Sequence, residues 1–350
     1  MSPASFIGVQ GDGIISFGSG QPDLPPPKEV YEILPKYNSF KYGLIQGQEN
    51  LRVELAKQYP RSTADNFVIT NGASEALDLS LRAISQIKNN KKNRVLLPQP
   101  YYYSYPPMVR YAGMEPVTTK LVEGRIDIND FEEKIQDCKA VIINSPSNPT
   151  GRVEAIPTLK KIEKIAEDLG VYVLSDEVYK DLMYVRENYL INGSKVITIN
   201  SFSKTYSMCG LRVGYLWSTD QDFVNSIIEM KSHTSMNTNI LGQEMAYEAR
   251  KVPRKFIDSQ LKIWEERRDI IYEGMQKLGL ELWKPEGAFY VLPKIKNPRD
   301  FVWNMYKKHK VITYLGEWFG APNRVRFSYA LDKEKIEEGL KRVKNYLDSC

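Results

Sequence analysis

Short apolar runs alternate with segments of helical periodicity through the first two thirds of the chain. The predicted strands are 94–97, 140–144, 171–174 and 196–199. The predicted helices are 48–59, 73–87 and 156–169. Because the strands are apolar at consecutive positions, both of their faces are expected to be covered. The alternation therefore predicts an α/β fold with a mostly parallel, doubly covered sheet in a large domain.

A different pattern follows near residue 255. A charged helical segment at 255–278 leads into predicted strands and helices, which are 288–292, 299–310, 325–329 and 332–348. This order predicts a smaller α+β domain. The first forty residues are rich in Gly and Pro and are expected to form an extended arm. The predicted division is an N-terminal arm with part of the small domain (1–40), the large domain (41–255) and the C-terminal small domain (256–350).

Composition excludes several classes of function. The chain has 350 residues, 42% hydrophobic and 26% charged, with a net charge of +5. No strongly basic block is longer than the segment 91–94, so we expect no nucleic-acid partner. No run approaches transmembrane length and no leader pattern is seen, so we expect no membrane. Three cysteines and two histidines favour a reducing, cytoplasmic compartment and no metal site.

A lysine at the end of a predicted strand is the first candidate for chemistry. Lys204 follows strand 196–199 and lies between Ser201, Ser203 and, eight residues on, Arg212. A lysine can form a Schiff base with an aldehyde, and hydroxyls with a guanidinium can hold a phosphate. Pyridoxal 5′-phosphate (PLP) carries both groups. The alternative is a lysine on the protein surface.

Two more strand ends carry polar side chains at equal spacing. Asp176 lies 28 residues after Asn148 and 28 residues before Lys204, which is about one βαβ unit each. The carboxyl ends of parallel strands meet at one crevice, where open α/β sheets bind ligands. The spacing therefore predicts that Asn148, Asp176, Tyr179 and Lys204 share one site.

Short motifs in the same order resemble a known family. They are 20–23 (GQPD), 70–77 (TNGASEAL), 100–102 (PYY), 148–151 (NPTG), 176–179 (DEVY), the segment around Lys204, and Arg326. Together they are similar to the fold-type I PLP-dependent aminotransferases of class I/II, the aspartate aminotransferase-like group. The resemblance covers residues 18–330 and implies PLP as cofactor and the fold of PLP-dependent transferases.

The resemblance implies roles for the residues at the strand ends. Lys204 would hold the cofactor covalently and later move the substrate proton. Asp176 would keep the pyridine nitrogen protonated, so that the ring accepts electrons. Tyr179 and Asn148 would bind the phenolic oxygen. Helix capping by Asp176 and a turn-forming role for Asn148 are the alternatives.

The family pattern also implies a phosphate site and a ring-stacking residue. The phosphate would be bound at the start of a helix and by the lysine segment, through Gly72, Ala73, Ser74, Ser201, Ser203 and Arg212. Ser203 could equally be structural. Tyr102 would stack on the pyridine ring, with Tyr101 or Tyr103 as alternatives.

Substrate contacts are implied in two further segments. Arg326 would bind the substrate α-carboxylate through its planar fork, together with Asn148 and the backbone of Gly20. Arg324 is the rival arginine on the predicted strand. Tyr42 matches a tyrosine that reaches the phosphate of a neighbouring subunit, which implies a homodimer with shared active sites.

The function implied is amino-group exchange between an L-amino acid, aspartate-like or of broad specificity, and a 2-oxo acid. One alternative keeps the fold and changes the reaction, as in a histidinol-phosphate aminotransferase or an amino-acid-phosphate decarboxylase. A second alternative is a non-catalytic PLP-binding sensor. The sequence does not identify the donor, because His233 and Asn237 could line the pocket or belong to the scaffold.

Overall fold

The computed structural model describes residues 11–185 and 189–349; the first ten residues of the predicted arm and Cys350 lie outside this range. Its strands are β1 (Ile15–Ser16), β2 (Phe67–Thr70), β3 (Arg94–Gln99), β4 (Glu115–Val122), β5 (Arg125–Ile126), β6 (Ala140–Asn144), β7 (Tyr172–Asp176), β8 (Val196–Ser201), β9 (Gly214–Trp217), β10 (Tyr290–Val291), β11 (Val311–Ile312), β12 (Tyr314–Leu315) and β13 (Val325–Ser328). Its α-helices are α1 (Lys28–Tyr31), α2 (Glu49–Ala56), α3 (Gly72–Gln86), α4 (Tyr105–Tyr111), α5 (Ile128–Lys134), α6 (Ile156–Leu169), α7 (Phe202–Thr205), α8 (Gln221–Ser232), α9 (Ile240–Lys251), α10 (Arg254–Lys277), α11 (Pro298–His309) and α12 (Lys333–Leu347).

An eight-stranded sheet forms the centre of the fold, in the order β2-β9-β8-β7-β6-β3-β4-β5. Strands β4, β3, β6, β7 and β8 run parallel, while β2, β9 and β5 pair antiparallel at the two sides. The predicted mostly parallel α/β sheet is therefore confirmed. The antiparallel strand β9 was not among the predicted elements.

Consecutive strand residues pack on opposite faces of this sheet, as a pleated strand requires. Leu174 belongs to the cluster that includes Leu77 of α3, whereas Val173 packs with Ile162 of α6. All residues of β7 and β8 are buried. Helices therefore cover both faces, which explains why the strand segments are apolar at consecutive positions.

Strand register brings the predicted chemistry to one edge. Asn144, the last residue of β6, is directly opposite Asp176, the last residue of β7. Asp176 in turn pairs with Ile199, two residues before the end of β8. Three strands thus end side by side, and the segments that leave them share one crevice.

A second group of elements surrounds the other side of that crevice. Strands β10, β13 and β12 form an antiparallel sheet, and α10 packs against α12. Strand β1 pairs in parallel with β11, so that Ile15 lies opposite Val311. The N-terminal segment is therefore joined to the C-terminal elements. The division into domains at residues 40 and 255 stays a prediction. Among the described residues, no helix is both long and apolar enough to cross a membrane.

A glycine is required where β9 passes the start of α3. A Cβ on Gly214 would lie 2.6 Å from the carbonyl carbon of Gly72 and 2.7 Å from the nitrogen of Ala73. We expect Gly214→Ala to lower the free energy of unfolding by about 1–3 kcal/mol, because backbone atoms have to move to admit the methyl group. Denaturant unfolding measures this difference.

Gly210→Ala is the matched control for that variant. A Cβ at Gly210 meets no atom within 4 Å, and this glycine is not among the residues with positive φ. Its replacement should change stability by less than about 1 kcal/mol. Equal stability of the two variants would contradict the close-packing argument.

Candidate active site

A cavity of about 310 Å³ lies at the carboxyl ends of β6, β7 and β8. It brings together most of the side chains predicted from the sequence, which are Gly20, Ala73, Ser74, Tyr102, Asn148, Asp176, Tyr179, Ser201, Ser203, Lys204, Arg212 and Arg326. Of the predicted residues, Gly72 adjoins the cavity through its contact with Arg212, and Tyr42 lies outside it.

Lys204 reaches into the cavity from a short helix. Strand β8 ends at Ser201, and α7 begins with Phe202, which is buried and stacks on Tyr206 with ring centroids 5.5 Å apart. This packing fixes the turn that carries the lysine. The Lys204 Nζ donates a hydrogen bond of 2.6 Å to the carbonyl oxygen of Gly20.

Asp176 is a buried carboxylate with few partners. Its Oδ2 accepts a hydrogen bond of 2.6 Å from the Tyr105 hydroxyl, and its Oδ1 accepts one of 3.3 Å from the Val178 amide. Burial raises the pKa of Asp176 to about 6, although these hydrogen bonds and the charge of Lys204 oppose the rise. The following residues, 177–180, contain a turn and no helix, so Asp176 is not a helix cap.

Tyr179 and Asn148 flank the carboxylate. The Tyr179 hydroxyl lies 2.8 Å from the Tyr290 hydroxyl, and burial raises the pKa of Tyr179 well above its usual value. The backbone amide of Asn148 donates 2.8 Å to the Asn144 side chain. Asn144 also donates 3.0 Å to the carbonyl of Asp176, so it joins two strand ends. Both predicted residues are therefore held in fixed positions.

Arg326, on β13, lies across the cavity. It is 2% exposed and donates a hydrogen bond of 3.0 Å to the Asn148 side-chain oxygen and another to the carbonyl of Gly18. Its guanidinium carbon lies 4.5 to 4.9 Å from the ring centroids of Tyr290, Tyr314 and Phe319. Within the described part of the chain its buried Nε has no hydrogen-bond partner, which is unusual for a buried donor.

Arg324, the alternative to Arg326 two residues earlier in the chain, has its partners outside the cavity. Arg324 donates to the carbonyl of Leu292 and to the Glu281 side chain, and it does not line the cavity. Only Arg326 of this pair is therefore placed to contact a molecule in the cavity.

Helix α3 begins where the polar side chains converge. Its first residue is Gly72, one residue before the start predicted at residue 73, and the φ of Gly72, +76°, is favourable for glycine. A Cβ there would lie 2.5 Å from an Arg212 nitrogen. The glycine thus lets the guanidinium approach the amides of the first turn, which are donors without helical partners.

Aromatic rings line one wall of the cavity. Tyr102 and Tyr103 both line it, with ring centroids 4.8 Å apart, whereas Tyr101 does not. The alternative of Tyr101 as a stacking residue is therefore not supported by the geometry. Tyr42, the remaining predicted aromatic residue, lies outside this cavity and is 83% exposed.

Several cavity residues were missed by the sequence analysis. They are Gly18, Tyr105, Asn144, Tyr290 and Tyr314. Asn144 could have been found, because it ends a predicted strand that pairs with the strand of Asp176. Gly18 and Tyr105 lie within three residues of the predicted Gly20 and Tyr102, whereas Tyr290 and Tyr314 approach from the C-terminal elements, where no local pattern signals them. Among the described residues, no group of three His, Cys, Asp or Glu side chains could hold a metal ion.

Known proteins resemble the chain over nearly its whole length. A probable aspartate/prephenate aminotransferase of Aquifex aeolicus is 32% identical, with 99% of this chain and 94% of that protein covered. A probable aspartate aminotransferase of Methanocaldococcus jannaschii is 33% identical, with 95% and 93% covered. These matches extend across both the sheet and the C-terminal elements.

Solved structures and a family profile agree with these relatives. The aspartate aminotransferase of Thermotoga maritima superposes with a TM-score of 0.89 at 30% identity, covering 96% of this chain and 92% of that one. The aromatic aminotransferase of Pyrococcus horikoshii OT3 gives a TM-score of 0.89 at 28% identity, with 99% of both chains covered. The profile described as "Aminotransferase class I and II" matches residues 12–343. The chain therefore belongs to the class I and II aminotransferase family.

Proposed function

We propose that the cavity binds PLP and that the protein uses it to exchange an amino group between an L-amino acid and a 2-oxo acid. The observation that carries this proposal is the convergence of Lys204, the buried Asp176, Arg212 and Arg326 on one cavity. The amine of Lys204 matches the aldehyde of PLP, the carboxylate of Asp176 matches its pyridine nitrogen, and the guanidinium of Arg212 matches its phosphate. The Arg326 Nε has no hydrogen-bond partner among the described residues and would donate to a substrate carboxylate.

The residues present fit the cofactor part by part. Asp176 would face the pyridine nitrogen, Tyr102 the ring face, and Tyr179 with Asn148 the phenolic oxygen. The phosphate would be bound by the amides at the start of α3 with the side chains of the lysine segment, that is Gly72, Ala73, Ser74, Ser201, Ser203 and Arg212. When bound, PLP supplies an aldehyde that condenses with amines and a ring that accepts electrons from the substrate Cα.

Asp176 would set the electronic state of the ring. An ionised carboxylate in a buried place is costly, as the raised pKa of Asp176 records. A protonated ring nitrogen at hydrogen-bond distance would stabilise that charge, and the carboxylate would hold the proton on the nitrogen. Tyr105 fixes the orientation of the carboxylate by its 2.6 Å hydrogen bond.

Lys204 would be the base of the reaction. Its Nζ lines the cavity and donates a hydrogen bond to the carbonyl of Gly20, and its amine would take the proton from the substrate Cα. Arg326 and Asn148 would orient the substrate by its α-carboxylate, so that this Cα–H bond faces the amine. The rings of Tyr290 and Phe319 exclude water from the arginine and strengthen its charge interaction.

The side chain of the amino donor is proposed to be aspartate-like or broad. The names of the Aquifex and Methanocaldococcus relatives support aspartate, and that of the Pyrococcus structure supports aromatic donors.

A second copy of the chain is proposed to complete the site. Exposed apolar side chains support an interface near Tyr42; they are Tyr31, Leu34, Phe40, Tyr42 and Leu44. The cytoplasmic location stays a prediction.

Lys204 is expected to carry the cofactor. Treatment of the PLP-loaded protein with borohydride should fix one PLP per chain on the peptide that contains Lys204, as measured by mass spectrometry. Lys204→Ala should show no fixed label and should lose at least about 10³-fold in transamination rate, because it lacks the base. It should still bind PLP noncovalently. Full activity of Lys204→Ala would refute the proposal.

Arg326 is expected to determine substrate affinity. Arg326→Lys should raise the KM for the amino donor by about 10- to 100-fold, because a point charge replaces two charge-assisted hydrogen bonds. Arg324→Lys is the matched control two residues away, and it should leave KM within about twofold because it lies outside the cavity. Steady-state kinetics of both variants measure this difference. A larger effect at Arg324 would mean that the carboxylate site is assigned to the wrong arginine.

A further inference from the structure

A lysine that takes no part in lining the cavity is completely buried behind it. Lys231, in the last turn of α8, has 0% side-chain exposure and lies 3.2 Å from an Oε of Glu75. It also donates a hydrogen bond of 3.0 Å to the Ser235 hydroxyl. Burying an ammonium group is costly, and in the part of the chain that the structure describes Glu75 is the carboxylate that offsets this cost.

Glu75 connects this lysine to the start of α3. Its Oε2 accepts a hydrogen bond of 2.6 Å from the Asn71 backbone amide, and the Asn71 side chain donates at 3.2 Å to both carboxylate oxygens. The carbonyl of Asn71 lies 3.4 Å from an Arg212 nitrogen that donates to it. A continuous chain of contacts therefore runs from Lys231 through Glu75 and Asn71 to Arg212.

The charge of Glu75 poses a problem for an anion bound at this helix start. Burial raises the pKa of Glu75, but hydrogen bonds from Ser235 and Asn71 and the charge of Lys231 together bring it below the usual value. Glu75 is therefore ionised at neutral pH. It lies in the first turn of α3, where a phosphate bearing up to two negative charges would be repelled by it. Lys231 supplies a balancing positive charge on the far side.

We propose that Lys231 is a positioning residue for the cofactor phosphate, acting through Glu75. It cancels the carboxylate charge and fixes Asn71, so that the amides at the start of α3 and the guanidinium of Arg212 face an anion without a repelling neighbour. This inference rests on the proposed function, because it takes the phosphate of PLP as the ligand.

The test compares two ligands that differ by the phosphate alone. The apoenzyme is titrated with PLP and with pyridoxal, and equilibrium dialysis gives each Kd. Lys231→Met should raise the Kd of PLP roughly tenfold and leave that of pyridoxal within about twofold, because only PLP carries the anion. The double variant Lys231→Met/Glu75→Gln should restore PLP affinity, because the uncompensated charge is removed.

Lys139 offers a matched control at the other end of the same helix. Its Nζ donates 3.2 Å to the carbonyl of Ser85 and 2.7 Å to that of Ile87, near the end of α3. Lys139 is 7% exposed, so Lys139→Met also removes a buried ammonium. It should lower the melting temperature and leave the ratio of the two Kd values unchanged.

Each result either supports or overturns the role of Lys231 as a positioning residue. Equal weakening of PLP and pyridoxal by Lys231→Met, or no rescue by Glu75→Gln, would overturn the proposal and leave Lys231 a scaffold residue. If Lys231→Met does not fold, the neutral variant Lys231→Gln, which keeps hydrogen-bonding capacity, is measured in the same way. Failure of the unmodified protein to bind PLP at all would overturn the proposed function together with this inference. If the unmodified protein binds PLP but Lys231→Met leaves the ratio of the PLP and pyridoxal Kd values unchanged, the inference alone is overturned.

Discussion

A carboxylate buried at the end of a parallel strand is the constraint around which the site is organised. Among the described residues, Asp176 has only a tyrosine hydroxyl and one amide as direct hydrogen-bond donors, and its pKa is raised to about 6. Burial makes the charged form of this carboxylate costly, and the hydrogen bonds and the charge of Lys204 offset only part of that cost. A protonated ring nitrogen at this position would remove that cost, and the carboxylate would in turn hold the proton on the ring. In the proposed function, cofactor binding and activation of the ring would both follow from the burial of this one carboxylate.

A second constraint is the arginine that joins three distant segments. Arg326 from β13 contacts Gly18 near the N-terminal strand and Asn148 after β6. The proposed substrate site is therefore complete only when the C-terminal elements, the N-terminal segment and the central sheet are packed together. This explains why β1 pairs with β11 in place of joining the large sheet, since that pairing brings Gly18 to the arginine.

The sequence predicted much of this arrangement because its signals are local. Apolar runs and the 28-residue spacing were sufficient to place Asp176 and Lys204 at neighbouring strand ends, and motif resemblance added Arg326. The residues that escaped prediction act across long separations. Tyr105 reaches Asp176 from 71 positions away, and Lys231 reaches Glu75 from 156. No periodicity records such contacts, since they depend on how helices α3, α4 and α8 pack on the sheet.

The most direct test measures the first half of the proposed exchange, in which an amino acid gives its amino group to the PLP-loaded protein and leaves as a 2-oxo acid. The PLP-loaded protein is mixed with an amino acid in the absence of any 2-oxo acid acceptor, and the products are quantified. We expect one equivalent of 2-oxo acid per chain, with the amino group retained by the protein and no carbon dioxide released. Release of carbon dioxide, or no 2-oxo acid from any donor in a panel that includes aspartate and aromatic amino acids, would contradict it.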